Sequence, residues 1–205
     1  MKDTQIYYRR NLPHYQPANA TFFVTFRLAG SLPVEAIARL KEERIQNEKL
    51  LLKIKDEKIR KKTMDDQHKR YFSKFDKMLD NAANNQSWLN NGLVARIIAE
   101  AMHFRDGNVY DLLAYCIMPN HVHMVFTVER SGTSLYTLLQ SLKARTAREA
   151  NKILHQKGSF WQHESYDHVV RNGKELERIV NYVLYNPVRA GMVSSWEQWK
   201  WSYCR

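Results

Sequence analysis

Cysteine is scarce in this chain, with two among 205 residues, Cys116 and Cys204. That excludes a disulfide framework and fits a reducing compartment, the cytoplasm. No apolar run is long enough to cross a bilayer, so no membrane role is expected. The first residues, Met1-Lys2-Asp3-Thr4-Gln5, lack the hydrophobic stretch of a secretory signal. Acidic side chains are in deficit: 21 Asp and Glu stand against 32 Lys and Arg, a net charge of +11. A surplus of that size predicts a polyanionic partner, and nucleic acid is the default.

Apolar residues then set out the elements. Thr21–Leu28 is β-branched and aromatic and reads as a strand. Residues 41–80 contain no glycine or proline and carry 13 basic and 9 acidic side chains. They predict one charged helix over about 33–62 and a second over about 65–82. A compact amphipathic helix follows at 93–102, strands at 109–118 and 121–128, and a helix from Leu135 to about His155. An extended piece spans 158–171, and a helix runs from Glu175 to about Tyr185, stopped by Asn186-Pro187. Residues 6–17 read as an irregular arm rich in Tyr, Arg and Pro, and residues 196–205 as an aromatic, basic tail. The order predicts an α+β fold with one antiparallel sheet in a single domain over 1–205.

Chemistry concentrates in two short runs. In Met118-Pro119-Asn120-His121-Val122-His123, the strand period turns both imidazoles to one face and Val122 to the other. Two imidazoles on one face can share a divalent cation. The bland alternative is one histidine satisfied in the core and one at the surface. In the second run, Tyr182 and Asn186 are four apart and share a helix face. Asn186 offers an amide oxygen to Mg²⁺ or Mn²⁺, or serves only as a helix cap. Tyr182 offers a phenolic nucleophile, or packs in the core. For DNA, Lys143, Arg145, Arg148 and Lys152 on one helix are candidate phosphate contacts, with Arg171 and Arg189. Arg9, Arg10, His14 and Tyr15 combine cations with rings suited to stacking unpaired bases.

The runs Met-Pro-Asn-His-Val-His at 118–123 and Tyr-Val-Leu-Tyr-Asn-Pro-Val-Arg-Ala-Gly at 182–191 resemble the HUH-type single-tyrosine transposases. The likeness is greatest to the REP-associated tyrosine transposases, which act on repetitive extragenic palindromes in bacteria. Arg9–Tyr15, Phe160–His168 and Trp199–Tyr203 match other segments of that family, leaving only about residues 40–85 uncovered.

The resemblance implies a ferredoxin-like antiparallel sheet with helices on one face and a long charged helical insertion at about 40–85. It implies His121, His123 and Asn186 as ligands of a divalent metal, Mg²⁺ or Mn²⁺, and Tyr182 as nucleophile. Mobile relatives carry Gln where Asn186 stands, so the arm here is one methylene shorter. The implied activity is single-strand DNA nicking and joining on palindromic hairpins through a 5′-phosphotyrosine. The alternative is a non-catalytic, regulatory hairpin-binding protein. Single-stranded or hairpin DNA is the implied partner, with no protein partner; a monomer is favoured over a dimer.

Overall fold

The computed structural model describes residues 7–9, 13–15, 19–81, 86–128 and 134–205. The chain divides into two compact units, Gly30–Gln86 and the remainder. The expected insertion at about 40–85 falls inside the first of these.

The larger unit is built on a βαββαβ order. Strand β3 (Ala20–Arg27) leads to helix α3 (Gly92–His103), then to strands β4 (Asp111–Ile117) and β5 (His121–Val128). Helix α4 (Leu135–Ile153) and strand β6 (Tyr166–Val169) complete it. The sheet order is β6-β3-β5-β4-β7, with every neighbouring pair antiparallel. This is the ferredoxin-like arrangement, with one further edge strand, β7 (Ser202–Cys204). The aromatic tail of the sequence supplies that strand.

The pleat sorts the side chains. Phe22, Val24 and Phe26 of β3, Leu112 and Ile117 of β4, and Val122, Met124 and Phe126 of β5 face one way. There they meet Val94, Ile98 and Met102 of α3 and Leu138 and Leu142 of α4 in one buried core. A shift in the β4–β5 register between Leu112 and Ala114 lets both Leu112 and Tyr115 join that core. The expectation of helices on one face describes α3 and α4. Helix α5 (Gly173–Leu184) packs against β4, β5 and β7 on the opposite face. The starts of α3 and α4 are capped by side chains: Asn91 accepts from Leu93 N and Val94 N, and Ser134 from Thr137 N.

Two sequence expectations are corrected. The arm at 6–17 is not irregular throughout: β1 (Tyr7–Arg9) pairs antiparallel with β2 (Pro13–Tyr15). Pro13 opens its strand, a position that tolerates the missing N–H. The long helix expected over about 33–62 breaks into α1 (Val34–Leu51) and α2 (Glu57–Asn81). Without glycine or proline, the break comes from Asp56, whose carboxylate accepts from Ile59 N at 2.9 Å and so caps α2. Within this smaller unit, Glu43 of α1 pairs with Lys74 of α2. Among the described residues, no helix is long and apolar enough to cross a membrane.

Candidate active site

The β4–β5 connection is the two-residue turn Pro119-Asn120, with Met118 N bonded to His121 O at 2.8 Å. His121 therefore opens β5 directly from a tight hairpin. Val122 enters the core while His121 and His123 point to the face that α5 covers, and both imidazoles are fully buried. Their Nε2 atoms lie 3.0 Å apart. Each ring is held from behind: His121 Nδ1 lies 2.6 Å from Asn120 Oδ1, and His123 Nδ1 lies 2.8 Å from Thr25 Oγ1. An amide oxygen only accepts, so His121 carries its hydrogen on Nδ1 and turns a lone pair inward from Nε2. The Thr25 hydroxyl can accept in the same way, and His123 then presents its Nε2 lone pair inward as well. Two facing lone pairs at this separation repel unless a proton or a cation lies between them.

Helix α5 brings the other half. Asn172 caps it by accepting from Glu175 N at 3.0 Å, and Glu175 reaches back to accept from Arg171 N at 2.8 Å. Glu175 also faces His168 Nε2 of β6 at 3.2 Å, which ties the helix start to the sheet. Burial works against the Glu175 charge, but the Arg171 N–H and His168 outweigh it and hold the carboxyl below its ordinary pKa.

Pro187 cannot continue a helix through its own N–H, so α5 ends at Leu184 and a short helix, α6 (Asn186–Arg189), restarts beyond Tyr185. Asn186 is fully buried, with Nδ2 3.0 Å from His123 Nε2. The Tyr182 ring stands edge-to-face against His123 at 5.9 Å and against Phe23 at 6.2 Å. Tyr185, in the break between α5 and α6, is exposed.

His121, His123, Asn186 and Tyr182 thus come together from the central strand and the α5–α6 junction. The donor set suits a divalent cation: two imidazole nitrogens facing inward, and an amide whose oxygen and nitrogen exchange places by a half-turn. Thr25 and Asn120 stand behind the imidazoles as the partners that fix their orientation. We predict that Thr25→Val, nearly isosteric, weakens Mn²⁺ binding by roughly 10- to 100-fold, as measured by calorimetry.

A family profile, Transposase IS200 like, matches residues 57–186, more than half of the chain. The chain belongs to the IS200-like transposase family. It is 24% identical over 102 residues to a putative REP-associated tyrosine transposase of Haemophilus influenzae, a match covering 45% of this chain and 58% of that protein. It is 24% identical over 95 residues to the REP-associated tyrosine transposase of Escherichia coli K12, covering 45% and 53%. The chain thus spans about half the length of the curated relatives it matches. The solved structure of a REP-associated tyrosine transposase bound to a REP hairpin shares the fold. Its TM-score is 0.52 at 17% identity, over 95% of this chain and 80% of that one.

In this IS200-like family member the basic candidates are dispersed. Arg10 lies outside the described residues; Arg9, His14 and Tyr15 lie on β1 and β2, where the backbone alone is described. Arg148, Arg171 and Arg189 are exposed. Arg145 stacks over Phe104 at 5.1 Å, and Lys152 pairs with Glu149 at 3.2 Å.

Lys143 departs most from the picture of a DNA-facing stripe. Its ammonium donates to Gln162 O at 2.6 Å, His163 O at 2.9 Å and Ser165 Oγ at 3.1 Å. It lines a cleft of about 290 Å³ between α4 and residues 158–167. Its job is to hold that segment against α4, helped by Trp161 Nε1, which donates to Thr146 Oγ1 at 2.9 Å. Burial lowers the Lys143 pKa from 10.5 to about 8, with Glu164 opposing and Arg27 reinforcing the shift. Between those values the unfolded chain holds a proton that the folded chain does not, so this residue's contribution to stability rises with pH. Urea unfolding from pH 8 to 10 should show the native chain gaining on Lys143→Met, by on the order of 2 kcal/mol.

Proposed function

We propose that this chain is a divalent-metal-dependent enzyme that nicks and rejoins single-stranded DNA at palindromic hairpins, using Tyr182 as nucleophile. The observation that carries the reading is the meeting of Asn186 Nδ2 with His123 Nε2 at 3.0 Å, beside the Tyr182 ring. It gathers metal-ligating chemistry and a phenol on one face of the sheet. Family membership, and the likeness to a REP-associated transposase bound to a hairpin, support the substrate class. The +11 charge suits a phosphate backbone.

His121, His123 and Asn186 would hold the cation, Mg²⁺ or Mn²⁺. Bound there, it supplies Lewis-acid stabilisation of charge on the phosphate oxygens. The Tyr182 oxygen attacks the phosphorus in line. A tyrosyl O–P bond forms, the P–O3′ bond breaks, and the phenolic proton is balanced by the one gained at the departing 3′-oxygen. The product is a 5′-phosphotyrosine and a free 3′-hydroxyl. No water is consumed, so attack by a 3′-hydroxyl can reseal a strand.

Arg145, Arg148 and Arg171 contribute phosphate contacts, as do Arg9 and Arg10; His14 and Tyr15 offer stacking surfaces. A chromosomal substrate puts the reaction in the cytoplasm, and a monomer carries a full set of site residues.

Incubation of the protein with REP-type hairpin oligonucleotides flanked by single strands tests this. Mg²⁺ or Mn²⁺ should give cleavage and a denaturant-resistant protein–DNA adduct, and EDTA should abolish both. Tight hairpin binding with neither product in either metal identifies the chain as a binding protein instead.

A further inference from the structure

The outer side of Tyr182 is covered by Arg189. The guanidinium lies 3.9 Å from the centre of the Tyr182 ring, and its Nη1 donates to the Tyr182 carbonyl at 3.1 Å. One side chain therefore grips both the ring and the backbone of the same residue. The carbonyl belongs to the last turn of α5, where helix acceptors lack intrahelical donors. Phe23 and His123 meet the ring edge-on from the sheet at 6.2 and 5.9 Å, with interplanar angles of 78° and 70°.

The position of Arg189 is itself fixed. Arg189 ends α6, and the chain is locked directly after it: Gly191 N bonds Val188 O and Met192 N bonds Pro187 O, both at 2.9 Å. This 5→2 and 6→1 pair is a Schellman motif, and Gly191 supplies its left-handed residue at φ 70°. Arg189 is exposed, so burial does not force it onto the ring. A long, exposed side chain that settles there surrenders rotamer freedom for the contact.

We propose that Arg189 is the positioning residue of Tyr182: it clamps the phenol ring against β3 and β5, so that the hydroxyl is aimed before DNA arrives. The role rests on Tyr182 being the nucleophile, and it differs from a plain phosphate contact. A phosphate contact acts on DNA affinity. A clamp acts on the reaction rate at saturating DNA, where small misplacements of a reacting group are costly.

Two readouts test it on the full-length chain. In single-turnover reactions at saturating hairpin, Arg189→Ala should slow adduct formation by roughly 10- to 100-fold. Its hairpin Kd should shift by no more than about 3-fold. Added ethylguanidinium should restore part of the rate. An unchanged saturating rate with a weakened Kd would make Arg189 a phosphate contact and overturn the proposal.

The second readout needs no activity. Tetranitromethane nitration, mapped by peptide mass spectrometry, should rise at Tyr182 in Arg189→Ala while exposed Tyr185 serves as the reference. Unchanged nitration at Tyr182 overturns the clamp. If the native chain forms no adduct at all, the nucleophile reading fails by itself, and nitration still decides whether Arg189 restrains the ring.

Discussion

Tyr182→Phe is expected to abolish the covalent protein–DNA adduct while leaving hairpin affinity within about two-fold. The substitution removes one oxygen and keeps the ring. Contacts with Phe23 and His123 depend on the ring, and so does the stacking of Arg189, which also keeps its bond to the backbone carbonyl. Fold and DNA surface are therefore preserved, and the variant isolates the nucleophile. Strand cleavage should fall to background with the adduct, because the tyrosyl oxygen is the attacking atom in either product. A metal hydrolase that activates water at the histidines would cleave as fast in the Tyr182→Phe variant as in the native chain. Gel analysis of a 3′-labelled hairpin oligonucleotide separates these outcomes.

The second large effect belongs to the histidines. His123→Gln should remove metal-dependent cleavage by on the order of 10³-fold and weaken Mn²⁺ binding by at least about 100-fold. His123 is the hub of the site: its Nε2 faces both His121 and Asn186 at 3.0 Å, and its Nδ1 meets Thr25. Glutamine retains polarity and much of the volume, so the buried neighbours keep hydrogen-bonding partners and the fold survives. Loss of one partner of a buried pair still carries about 1–3 kcal/mol of instability, which thermal unfolding will register. Hairpin binding in EDTA should be unaffected, since the phosphate contacts proposed above lie on other residues. If His123→Gln bound metal and cleaved as the native chain does, the two imidazoles would be core histidines and no more.

Much of this arrangement is legible in the sequence because it rests on local periodicity. A strand period of two puts His121 and His123 together, and proline chemistry stops α5 next to Asn186. The βαββαβ order follows from elements with clear hydrophobic patterns. Whatever depends on register between distant segments is not legible. Thr25 sits 98 positions from His123, and only the β3–β5 pairing makes them neighbours. Edge strand β7 is three residues long, too short to show a period. Lys143 reads in the sequence as one of four cations on a helix, but its ammonium turns to the carbonyls of residues 162 and 163. No sequence pattern distinguishes a lysine that grips a loop from one that faces phosphate. Arg189 is legible as a cation, while its place over Tyr182 depends on the α5–α6 break and the Schellman turn.

On the proposed mechanism, Tyr182 becomes covalently joined to DNA at a site organised by His121, His123 and Asn186. Mass spectrometry of the adduct formed with a hairpin oligonucleotide in Mg²⁺ or Mn²⁺ tests it most directly. A single linkage is expected, on the peptide containing Tyr182, through the 5′-phosphate of one fragment, with a free 3′-hydroxyl on the other. A linkage at Tyr185 or elsewhere, or cleavage that leaves a free 5′-phosphate and no protein-linked fragment, would contradict it.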